Sequence, residues 1–127
     1  MIDALFNQPN YVATKKMLDA TALRHEAIAS NIANVETPNY KRIDIGSSFA
    51  EELKTAVASQ DINKISSLTP ILSEDSSAVS ATRDGNTVQL ETELMNLNQN
   101  TMAHTLETQL VSGALMRLRM AITGRDS

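Results

Sequence analysis

The two histidines are where chemistry would start in this 127-residue chain, because neutral imidazole is both the commonest metal ligand and the usual general base near neutral pH. His25 stands beside Glu26, and His104 precedes Glu107 by three residues. On two facing helices, these pairs are the closest approach to a metal site. Di-iron bundles instead use Glu-x-x-His units backed by further carboxylates from four helices. Here the order is reversed, and the adjacent His25 and Glu26 point about 100° apart on a helix. Both histidines read more simply as helix-seam residues with a hydrogen-bonding partner, so no metal and no cofactor is expected. Gly-x-Ser-x-Gly, a Gly-rich loop leading to Lys-Ser/Thr, and His-Glu-x-x-His are all missing from the sequence. Cysteine is absent too, which removes disulfides, zinc–thiolate sites and thiol catalysis. The expectation is a protein that is not an enzyme.

Charge and hydropathy exclude two classes of partner. Eleven basic against fifteen acidic residues give a net charge of −4. Nucleic acid is therefore not expected, since a phosphate backbone calls for clustered Lys and Arg. The basic-aromatic triplet Tyr40-Lys41-Arg42 is too short to change that. Direct lipid binding is not expected either. The polar face of the first helix sets Asp19 and Glu26 beside Lys15 and Lys16, without the basic excess that anionic lipid attracts. No apolar run approaches the roughly 20 residues of a membrane span. Met1 to Phe6 has neither a basic start nor an apolar core, so no cleavable signal peptide is expected there.

The elements that must position any site follow from the chain breakers. Neither Gly nor Pro occurs between Pro9 and Pro38, or between Gly85 and Gly113, a layout of helix, irregular centre, helix. Only Phe6, Tyr11, Tyr40 and Phe49 are aromatic, against six Met, a composition suited to helix seams. The predicted organisation is one domain over residues 1–127. An N-terminal helix covers about 10–34, a turn and irregular middle 35–88, and a long C-terminal helix 89–123. On the first helix Met17, Leu18, Ile28 and Ile32 share an arc of about 100°, into which Thr21 and His25 also fall.

On the second, Leu90, Leu94, Leu97, Thr101, His104, Thr108, Val111, Leu115, Leu118 and Ile122 step by fours and threes, a heptad rhythm. Met95, Met102, Leu106, Met116 and Met120 belong to a neighbouring seam of the same rhythm. Such a helix is roughly 50 Å long. Gly124 is placed to cap it, with Arg117, Arg119 and Arg125 complementing the dipole. Two adjacent seams demand neighbours on more than one side, and one shorter helix covers only part of the second. The expected fold is all-α, with the N- and C-terminal helices packed as an antiparallel coiled coil around a short irregular or weakly β middle. The apolar seams then call for assembly with other chains.

In the middle, Phe49 to Val57 fits a short amphipathic helix. Leu68 to Leu72, interrupted by Pro70, permits at most a short or edge strand. Ser73 to Thr87 is rich in Ser, Thr, Asp and Glu, is expected to be mobile in an isolated molecule, and carries a turn signal at Asp84-Gly85-Asn86.

The distinctive stretch runs from Ser30 through Asn31, Ile32, Ala33, Asn34, Val35, Glu36, Thr37, Pro38, Asn39 and Tyr40 to Arg42. Asn34 suits a left-handed helix C-cap. Pro38 forces Thr37 into extended backbone, and Asn39 tolerates positive φ in a Thr-Pro-Asn-Tyr turn. Tyr40 brings an aromatic back to the helix. Asn31, Ala33, Asn34, Thr37, Pro38, Asn39 and Tyr40 thus form a signature turn. It resembles that of the bacterial flagellar axial proteins, the rod and hook group, whose N-terminal helix ends in Ala-Asn-x-x-Thr-Pro-x-Tyr/Phe. The Thr-Pro-Asn-Tyr-Lys form is similar to that of proximal-rod members. The short chain, the Asp84-Gly85-Asn86-x-Val88 lead and the final Leu/Met heptads agree. The resemblance covers about residues 10–45 and 84–124, and the centre adds nothing diagnostic.

That resemblance implies a structural subunit of the proximal rod in the flagellar basal body, coiling its terminal helices and stacking with copies of itself into a torque-transmitting shaft. Its implied partners are the other proximal rod proteins, the membrane ring and the export gate. Its implied location is the periplasmic rod, reached unfolded through the flagellar type III apparatus without signal cleavage. The assembly seam is then Met17, Leu18, Ile28 and Ile32 with Leu94, Leu97, Val111, Leu115, Leu118 and Ile122. Phe49 and Leu53 resemble the Phe-x-x-x-apolar motif that early substrates present to the export gate, and a packed short helix explains them equally. The rival reading is a generic helical adaptor or secretion-associated coiled coil, which should fold and dimerise stably when purified. A rod subunit should order fully only on assembly.

Overall fold

Pro9 starts the first helix, because its missing N–H is one the first turn cannot use and its fixed φ is already helical. The computed structural model describes residues 8–80 and 82–124. The expectations for Met1 to Phe6, and for Arg125 beyond the last helix, lie outside them. In chain order come α1 (Pro9–Ala33), β1 (Ile43–Ile45), α2 (Ser48–Ser59), α3 (Ile62–Ser67), β2 (Leu72–Glu74) and α4 (Leu90–Thr123).

The architecture is mostly helical, as expected. Thr21 of α1 meets Asn100 and Glu107 of α4, while Asn31, further along α1, meets Glu93. That reversed order makes α1 and α4 an antiparallel pair. Gly124, at φ 68°, ends α4 by returning its N–H to the Met120 carbonyl at 2.8 Å, the left-handed stop that Gly adopts without a Cβ clash.

The middle holds more order than its composition suggests. β1 and β2 pair antiparallel, Ile43 opposite Glu74 and Ile45 opposite Leu72, and β2 begins only after Pro70 has passed. α3 was not expected. It forms because Asp61 caps it, its carboxylate accepting the N–H groups of Asn63 (3.0 Å) and Lys64 (3.3 Å). The stretch expected to be mobile is tied at both ends, Asp75 to Arg42 and residues 84–87 to the turn after α1. The apolar core gathers Ala13 of α1, Phe49, Leu53 and Ala56 of α2, and Ile65 of α3. It is small and lies on the flank of α1 that faces α2 and α3.

Candidate assembly surfaces

The turn after α1 is built from amides. Asn34 does not take the left-handed cap expected of it; its φ is −108°. The reason is that its side chain does the capping, Nδ2 donating back to the Ser30 carbonyl at 2.8 Å while Oδ1 accepts the Thr37 hydroxyl at 3.1 Å. The same carbonyl also accepts the Asn34 backbone N–H at 3.1 Å, so both donors of Asn34 close the last turn without a backbone reversal there. The reversal comes later, at Asn39 (φ 62°). Tyr40 returns to α1, its hydroxyl 3.0 Å from Ser30 Oγ and donating to Asn31 Oδ1 at 3.4 Å. Pro38 and Ala33 are exposed to solvent.

Asn86, Arg42 and Asn31 hold this turn to α4 through partners that local pattern did not indicate. Asn86 Nδ2 lies 2.8–3.1 Å from the carbonyls of Asn34, Val35 and Thr37, and Asn86 Oδ1 accepts the Val88 N–H just before α4 begins. Arg42 is buried with Glu93, to which its Nε donates at 2.7 Å, and it also pairs with the half-buried Asp75, 2.5 Å from Nη1, and with Asp44, 3.3 Å from Nη2. Asn31 joins them, donating to Glu93 at 3.3 Å and to the Ile43 carbonyl at 2.9 Å. Burial opposes the Arg42 charge, but its bonds to Glu93 and Asp75 outweigh that and push its pKa upward. Asp75 is held below the usual carboxylate range, first by the Ser77 hydroxyl and also by Arg42. Gly85 belongs to the same knot. At φ 77° with Asn39 Oδ1 2.6 Å from where a Cβ would stand, any side chain there would strain the backbone and displace the Asn39 amide.

Along the helix pair the contact stays polar. Glu93, Asn100 and Glu107, seven residues apart, are buried against α1. The Thr21 hydroxyl donates to Glu107 at 2.9 Å and lies 3.4 Å from His104 Nδ1, and Asn100 donates to the Thr21 carbonyl at 2.8 Å. Burial pushes the Glu107 carboxyl up, against the pull of Thr21 and His104. On α1 the buried positions are Ala13, Ala27, Ile28 and Asn31. This stripe is turned by roughly a quarter of the circumference from the expected Met17–Leu18–Ile28–Ile32 arc, because small and amide side chains let a neighbouring backbone come close. His25 is exposed rather than in a seam. Among the described residues no three His, Asp or Glu side chains are placed to hold a metal ion.

The apolar seams of α4 face the other way. Leu90, Leu94, Leu115 and Ile122 of the first seam are exposed, as are Met95, Met102, Leu106 and Met116 of the second, Met102 at 72%. Leu97 and Val111 are half-buried and Leu118 is buried. Of the α1 residues assigned to assembly, Met17 is exposed, Leu18 and Ile32 are half-buried, and Ile28 is inside the chain's own packing. Phe49 and Leu53 are both core residues of α2.

Comparison with known proteins completes the picture. The model of the family "Flagella basal body rod protein" matches residues 18–41, the second half of α1 and the turn that follows it. The chain is 33% identical over 115 residues to the flagellar basal body rod protein FlgB of Borrelia hermsii, covering 75% of this chain and 82% of that one. It is 29% identical to FlgB of Bacillus subtilis strain 168 (84% and 88% covered) and 28% identical to FlgB of Escherichia coli K12 (80% and 83%). With the helix pair and its turn placed, and relatives aligned along most of their length, the chain belongs to the FlgB family of flagellar basal body rod proteins.

Proposed function

We propose that this chain is a structural subunit of the flagellar basal-body rod that joins copies of itself and other rod proteins into the shaft transmitting torque. The observation that carries the reading is the inversion of α4. Its buried positions are Glu93, Asn100 and Glu107 with Leu118 near the C-terminal end, and its exposed faces carry Leu and Met from Leu90 to Ile122. An apolar area of that extent on solvent marks an interaction surface, and two exposed seams on a single helix suit a subunit with several neighbours. The exposed members of the seam, Met17, Leu94, Leu115 and Ile122, are its contact residues. Leu18, Ile32, Leu97 and Val111 lie at its edge, and Ile28 and Leu118 support it from within. Position in the proximal rod, contact with the membrane ring and export gate, and passage through the type III apparatus belong to the same proposal, supported by the family. Phe49 and Leu53 serve as an export motif only in an unfolded chain, since folding buries both.

Leu115→Asp tests the reading. Leu115 is 46% exposed in the subunit, so the variant folds, but assembly would bury an unpaired carboxylate at a cost of several kcal/mol. Cells carrying it in place of the native gene are expected to lack hooks and filaments and not to swim, with the purified variant as helical by circular dichroism as the parent. Normal motility would remove this face of α4 from the interface.

A further inference from the structure

Beside α4 runs a groove of about 840 Å³ whose floor is α1 and whose far wall is α2. Met17 and Ala20 line the floor, Ala50 and Leu53 one wall, Gln99 and Ala103 of α4 the other. Of the four ionisable residues that line it, Arg24 pairs with Asp44 at 3.2 Å, Glu107 is buried on the Thr21 hydroxyl, and Lys54 is exposed to solvent. We infer that this groove receives the outward Met95–Met102–Leu106 face of α4 from a second copy of the chain. This rests on the rod-subunit reading and names the partner of one of its surfaces.

Three observations select that occupant. From Leu94 to Met116 the only ionisable residues are His104 and Glu107, and Glu107 is buried against α1. α1 carries Lys15, Lys16, Asp19, Arg24 and Glu26 and α2 carries Glu51, Glu52 and Lys54, so among the described helices α4 alone offers a long uncharged face to a groove whose lining is mainly apolar. The lengths agree: α2 has 12 residues, about 18 Å at the helical rise, and Met95 to Leu106 is the same span. Lastly, methionine's unbranched, pliable side chain fills shallow, irregular apolar surfaces well. The groove meets this face only along the Gln99 edge, so docking brings two largely different patches together, a heterologous contact of the kind that extends into helical assemblies.

The absence of cysteine makes the test direct. Ala50, exposed on the groove wall, and Met102 are replaced in separate chains as Ala50→Cys and Met102→Cys. Each variant is purified, and the two are mixed at high concentration with a short bismaleimide. The same variants are expressed together in the chain's own bacterium in place of the native gene. A cross-link joining the thiol at position 50 of one chain to the thiol at position 102 of another, identified by mass spectrometry of the linked peptides, is expected. It should fall at least tenfold when Met17→Glu, an exposed position on the groove floor, is added to the Ala50→Cys chain. Motile cells giving only links between two copies of the Met102→Cys chain would overturn the groove and leave the rod reading standing. Cells that swim without the gene would instead overturn the rod reading, and the purified mixture would still decide the groove.

Discussion

Without the Arg42 guanidinium, Glu93 would be left fully buried with one long bond from Asn31, and Asp75 would be tied to residue 42 only through its backbone bond. Removing one partner of such a pair costs about 3–5 kcal/mol, whereas replacing both by apolar groups of similar volume is often close to neutral. Arg42→Met is therefore expected to lower the urea midpoint sharply, and the double variant Arg42→Met/Glu93→Met to recover most of the loss. A double variant as unstable as the single would mean that Arg42 acts mainly through Asp44 and Asp75. The sequence made the turn legible because Pro38, Asn39 and Tyr40 state their backbone needs locally. It did not reveal Arg42 with Glu93, or Asn86 with three carbonyls of the turn, because those partners stand about fifty residues apart and neither side has a local pattern. Asn34 shows a finer limit. Its type indicated a cap, but an amide can cap by backbone or by side chain, and only the surroundings decide which.

At the level of the element, α4 was found almost to the residue, since a sustained heptad rhythm and a terminal Gly are strong signals. Its orientation was not. Apolar periodicity shows that a helix has greasy faces without saying which neighbour each face meets, and here the nearest neighbour took the polar one. The signal was present as Glu93, Asn100 and Glu107, a second heptad of polar residues beside the first. Glu107 also gives the helix pair a pH dependence. Its carboxyl titrates higher folded than the ordinary value of 4.5, so the folded state binds the extra proton. The helix pair therefore loses stability as pH rises from the ordinary carboxylate range through the raised value. Glu107→Gln keeps an acceptor for Thr21 and cannot ionise. It is expected to melt higher than the parent at pH 7, with the gap closing below about pH 4. Equal melting temperatures at both pH values would show that burial does not penalise the Glu107 carboxylate.

For the whole molecule, composition had already indicated a chain that cannot be complete alone: few aromatics, many Leu and Met, and one helix longer than its partner. The described structure gives that statement a form. A small core on one flank of α1 and a polar seam on α4 hold the subunit, while much of its large apolar surface remains outside. The polar seam has a thermal consequence. Hydrogen-bonded contacts bury little hydrocarbon, so unfolding the subunit should raise the heat capacity by less than the usual 12–15 cal/mol/K per residue. Burying the Leu and Met faces between subunits should lower it strongly. Dilution calorimetry of assembled protein at several temperatures is expected to give an association enthalpy that becomes more negative on warming, and a temperature-independent enthalpy would contradict apolar joints. Since hydrophobic association weakens on cooling, a shaft made this way is tightest when warm, and in the cold its joints loosen before its subunits melt.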